Sequence, residues 1–145
     1  TRMPDWIAPR PEGAKLVITS QAEGKPEQKE TFVLQAIPLA LEQKQLELEA
    51  KSGFNLYVYR INPADLPRLE AYRANTKALK AAGIKVKGNL GISVDACRKM
   101  ALPEGKIPVT NYLRLDESGY MPLVVDYDLR QEVDGKNLAE LLPPC

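Results

Sequence analysis

Several sets of side chains in this sequence have the types and spacing to do chemistry. Asp116, Glu117, Asp126, Asp128, Glu132 and Asp134 form an acidic run. Asp126 and Asp128 stand two apart, so in a strand their carboxylates share a face. Such a pair could hold a hard cation such as Ca²⁺, or share acid–base work in a small enzyme that uses neither histidine nor cofactor. A calcium loop also needs Gly and further oxygen donors at fixed spacing, and that pattern is missing. Outward carboxylates on a half-solvated strand are the plainer expectation. Cys97 precedes Arg98 and Lys99, whose charges would lower a thiol pKa. A nucleophilic cysteine still needs a base, and the chain has no histidine.

Two further sets are surface candidates. Tyr57 and Tyr59 alternate with Leu56 and Val58. If the aliphatic pair faces the core, the tyrosines face outward and can anchor a protein or glycan. The alternative is that both faces are covered. Trp6, with Ile7, is a second partner-binding candidate, against the alternative that it folds back onto the domain. Lys77, Lys80, Lys85 and Lys87, with Arg73, make one stretch basic, and a phosphate or anionic lipid surface could use it. The alternative is a solvated face. Gly88-Asn89-Leu90-Gly91 lacks the strand–loop–helix setting of a phosphate loop.

The totals bound these readings. The chain has 145 residues, 20 of them basic and 19 acidic, for a net charge of +1. A nucleic-acid partner normally demands a basic excess, so none is expected. Absent histidine removes the usual proton carrier near neutral pH and the commonest metal ligand. With two cysteines, a structural zinc site would need carboxylates, so no metal and no cofactor is expected. No Ser-His-Asp or Cys-His apparatus can exist within the chain. No apolar run is long enough to span a membrane. The sequence opens on Thr1, as a processed product does, so a targeting segment or membrane anchor would stand upstream.

Cys97 and Cys145 invite a disulfide, because a loose chain end frays unless tied. Closing a loop of about 49 residues would stabilise by about 4 kcal/mol in the chain-entropy picture. Such a bond persists only in an oxidising compartment. The alternative is a buried thiol at Cys97 and an incidental exposed one at Cys145.

The elements that would position these groups read as follows. Residues 1–13 hold three prolines and look like an extended arm without regular structure. Residues 14–20 and 31–37 read as strands, with a polar loop between them. Residues 39–51 have a helical composition, but Leu46, Leu48 and Ala50 alternate with charges. A hairpin of 44–51 with 54–61 across Ser52-Gly53 is the favoured reading. Asn62 or Asp65 can cap a helix with Pro63 or Pro67 in its first turn. Leu66, Leu69, Tyr72, Thr76 and Leu79 form its apolar stripe, and Gly83 can end it. Residues 84–96 read as strand pieces broken by a turn or bulge around Gly88 and Gly91. A hairpin of 109–115 with 120–127 follows, and then a short helix capped by Asn137. The sum is six to eight strands, mostly antiparallel, and one long amphipathic helix on one sheet face: an α+β domain over 14–145. The expected role is a non-catalytic binding or assembly module of the periplasm, bacterial cell envelope or extracellular space. It would be an accessory lipoprotein-type subunit or an inhibitor, with another protein as partner.

Overall fold

The computed structural model describes residues 1–132 and 137–145. The chain is α+β, with two antiparallel sheets and one long helix. Its elements are β1 (Arg2–Pro4), β2 (Ile7–Ala22), β3 (Gln28–Ile37), α1 (Gln43–Leu46), β4 (Phe54–Leu56), β5 (Val58–Ile61), α2 (Leu66–Ala81), β6 (Val86–Arg98), β7 (Pro108–Leu113), β8 (Met121–Asp128) and α3 (Leu138–Leu141). One sheet runs β4-β1-β7-β8 and the other β5-β3-β2-β6. Contacts group the chain into two compact units. The first is Thr1–Pro11, Ala36–Tyr59 and Asp95–Cys145, and the second is Glu12–Gln35 and Arg60–Val94. The crossings at Pro11 and Val94 lie inside β2 and β6, so no Pro- or Gly-rich linker marks the division in the sequence.

The second unit is built around α2. Asn62 caps the helical stretch by accepting the Ala64 N–H at 3.1 Å. Gly83 closes it at φ 78°, a conformation that costs glycine little. Leu69 is buried against Leu16 and Phe32, with Ile18, Leu34, Ile61 and Ile92 packed around them. Leu16 and Phe32 sit opposite each other in the β2–β3 ladder, so one sheet face meets the helix stripe. Of that stripe, Leu66 is exposed instead. Arg68 lies over the Phe32 ring at 4.3 Å and donates to the Thr31 carbonyl, which closes the edge of this core.

Four expectations are corrected. Residues 1–13 are not an arm without regular structure: β1 and the start of β2 lie there, and Met3 and Ile7 are buried. The prolines are tolerated because Pro9 and Pro11 are two apart, so both missing donors fall on one strand edge. The ladder to β3 begins only at Lys15, beyond them. Residues 44–51 do not form a strand. Leu39–Leu41 and Glu47–Glu49 are 3-10 turns that flank α1. Leu46 is buried while Leu48 is 97% exposed, so the alternating leucines do not share a buried face. The turn at Ser52-Gly53 does form, with Gly53 at φ 77°. The strand read over 54–61 breaks at Tyr57 into β4 and β5, which belong to different sheets. Finally, β6 runs unbroken through Gly88 and Gly91.

The C-terminal segment is clasped inside the first unit. Cys97 and Cys145 are disulfide-bonded. Beside the bond, the Arg98 N–H donates to the Pro143 carbonyl at 2.9 Å and the Cys145 N–H to the Arg98 carbonyl at 3.0 Å. Asn137 caps α3 by accepting the Ala139 N–H at 3.1 Å, and Leu138 and Leu142 are buried.

Candidate functional site

In the first unit, β7 and β8 pair antiparallel from Leu113 opposite Met121 to Pro108 opposite Asp128, as the sequence suggests. The register shifts twice along the ladder, and Asp126 takes φ 46°. These irregularities send Asp126 and Asp128 to different partners. Asp126 Oδ1 accepts from Arg2 Nη2 and from the Thr110 hydroxyl, both at 3.3 Å. Asp128 Oδ1 accepts the Ile107 N–H at 3.0 Å and the Arg130 N–H at 3.1 Å. Those two backbone donors hold the Asp128 carboxyl below its ordinary value. Both carboxylates are thus occupied in tying the hairpin together. The side chain of Glu132 and all of Asp134 lie outside the described residues. Among the described residues no three His, Cys, Asp or Glu side chains come together to hold a metal ion.

The centre of this polar cluster is Arg2, a residue that no motif or spacing singles out. Its side chain is 12% exposed. Nη1 donates to the Glu49 carbonyl at 3.2 Å and to Glu49 Oε2 at 3.4 Å. Nη2 reaches the Thr110 hydroxyl at 3.2 Å as well as Asp126. The guanidinium also lies 5.9 Å from the ring centres of both Phe54 and Tyr112. The Tyr112 hydroxyl donates to Glu49 Oε2. Burial, then that hydrogen bond, pushes the Tyr112 phenol up to about 12. Arg2, Glu49, Tyr112 and Asp126 come from β1, the turn after α1, β7 and β8 in that order. Only the tertiary fold brings them together.

The tyrosine candidates are half-buried rather than free. Tyr57 donates its hydroxyl to the Ile7 carbonyl at 3.2 Å. Tyr59 is pushed up to about 12, first by burial and then by neighbouring Tyr57. Val58 between them is buried, as its place in the alternation predicts. Trp6 is half-buried between β1 and β2, and its carbonyl accepts the Lys99 N–H at 2.8 Å.

Lys77, Lys80, Lys85 and Lys87 are all exposed. Lys77 and Lys80 lie on the solvent side of α2. Ile92 of β6 packs toward the helix core, and Lys87 is an odd number of residues away. Alternation therefore turns Lys87 to the other sheet face. The four lysines do not make one flat cationic patch.

Neither family models, curated proteins nor solved structures give a match to this chain.

A different surface stands out in the first unit. Strand β8 is the edge of its sheet, and its first six residues are exposed. Four of them are apolar: Met121 at 45%, Leu123 at 42%, Val124 at 39% and Val125 at 62%. Leu115, just before the hairpin turn, is 60% exposed. Scattered exposed apolar residues are ordinary, whereas a contiguous run is not. The other long edge, β6, carries Lys87, Gly88 and Gly91 instead. The β8 run could not be seen in the sequence, because a hairpin strand of alternating type is expected to bury one face.

Proposed function

We propose that this chain is a non-catalytic binding or assembly module whose first unit holds another protein through the apolar side chains of β8. The exposed run Met121–Val125 carries the reading: leaving four large apolar side chains of one short strand in water is unfavourable, and a partner's apolar surface relieves it. The register shifts and Pro122 bend and interrupt this edge, which disfavours simple addition of a partner strand. Contact is made by side chains. A protein fits better than an anionic membrane, because the first unit holds ten basic and thirteen acidic residues.

The disulfide supports a working place in an oxidising compartment, the periplasm or cell exterior, since such bonds are rarely kept in a reducing cytosol. An accessory subunit of a lipoprotein type or an inhibitor of a partner protein suits this setting. The test is affinity capture from the native source with the wild type and with Val125→Asp. Val125 is 62% exposed, so the variant should melt within a few degrees of the wild type. A partner retained by the wild type and lost by Val125→Asp is the expected result. A partner held equally by both proteins would overturn β8 as the contact.

A further inference from the structure

We propose that the first unit has a second site, a groove beside Arg2 that binds a small monocarboxylate with a short apolar body. The groove has a volume of about 430 Å³, and its lining includes Arg2, Leu39, Lys51, Ser52, Phe54 and Leu56. Sites for small molecules span roughly 300–1,000 Å³, so the space suits a ligand of this kind.

The charge of the ligand follows from the cations. Lys51 Nζ stands 4.8 Å from the centre of the Phe54 ring, and the Arg2 guanidinium carbon stands 5.9 Å from the same centre. Two cations over one ring repel each other. Arg2 is balanced by Glu49 and Asp126. Lys51 has no carboxylate partner among the described residues. No acidic side chain lines the groove. Lys51 is therefore the cation at the groove that no carboxylate partners, and a single ammonium matches a single carboxylate better than a doubly charged phosphate.

The donors and walls fit the same ligand. Lys51 and Ser52, neighbours in the chain, both line the groove, and an ammonium and a hydroxyl are donors. Leu39, Leu56 and the Phe54 ring offer an apolar wall beside it. A carboxylate held at Lys51 would carry its alkyl chain along that wall. The groove is separate from the β8 run, so the two proposals stand or fall independently.

The experiment is a nuclear magnetic resonance titration of the folded, disulfide-bonded chain. The probes are hexanoate, hexanamide and inorganic phosphate. Hexanoate should shift amides around residues 51–57 in a saturable way, and the neutral amide and phosphate should bind far more weakly. Lys51→Met keeps the length and apolar cover of the side chain. It should weaken hexanoate binding by about tenfold, as expected for loss of one charge-assisted contact. An acetylated dipeptide ending in leucine tells the source of the carboxylate. Tighter binding than hexanoate assigns the groove to a chain terminus, and weaker binding assigns it to a free acid. The proposal is overturned by hexanoate shifts that do not saturate, by equal binding of hexanamide or phosphate, or by an unchanged affinity in Lys51→Met.

Discussion

Arg2 shows how a single side chain can organise a polar interior. Burying a guanidinium is costly unless it is paired and hydrogen-bonded, and here Glu49, Asp126 and Thr110 all serve it. Tyr112 completes the set by donating to Glu49, which already faces Arg2. Because the folded phenol is pushed up to about 12 from 10.0, its protonated form is favoured in the native state. This contribution is whole below pH 10 and is lost as pH rises from there through about 12. Absorbance titration of the wild type and of Tyr112→Phe should therefore differ by one late-ionising phenol. Denaturant melts between pH 9 and about 11.5 should show a shallower loss of stability in the variant. A Tyr112 that titrates near 10 in the folded protein would contradict this environment.

Among the elements, α2 was the most legible in the sequence and the segment 39–49 the least. In α2 every local signal agrees: a capping Asn62, prolines in the first turn, one apolar stripe and Gly83 at the end. In 39–49 the signals conflict, since leucines occur at spacings of two while the composition favours helix. The structure resolves the conflict by burying Leu46 and leaving Leu48 and Leu41 in water. The difference can be measured. Leu46→Ala should cost about 2–5 kcal/mol, and Leu48→Ala less than about 0.5 kcal/mol. Similar costs at both positions would mean that they share a buried face, as a strand would require. The N-terminal segment departs from its sequence pattern for a related reason. Prolines argue against helix and central strand, but two of them at a spacing of two are compatible with one bare strand edge.

At the scale of the whole molecule, the Cys97–Cys145 bond fastens the chain end to β6. With a sequence separation of 48, the chain-entropy picture gives about 4 kcal/mol. The double variant Cys97→Ala/Cys145→Ala should lose about that much in denaturant melts. Thiol labelling of the folded, unreduced wild type should give no adducts. Melts that coincide would mean that the hydrogen bonds of Arg98 and the buried Leu138 and Leu142 hold the terminus without it.

The sequence by itself determined the α+β class, the long helix with its caps and the last hairpin, and it pointed to the pairing of the two cysteines. Each rests on local chemistry or on simple counting: a capping side chain, a period of 3.6 or 2, two sulfurs and one loose end. Tertiary structure alone decided the division into two units, the helical turns before Ser52, the gathering of Arg2, Glu49, Tyr112 and Asp126, and the apolar face that β8 leaves in water. Those features depend on which distant segments meet, and a β-rich chain sets such meetings through long-range pairings that no short stretch of sequence encodes.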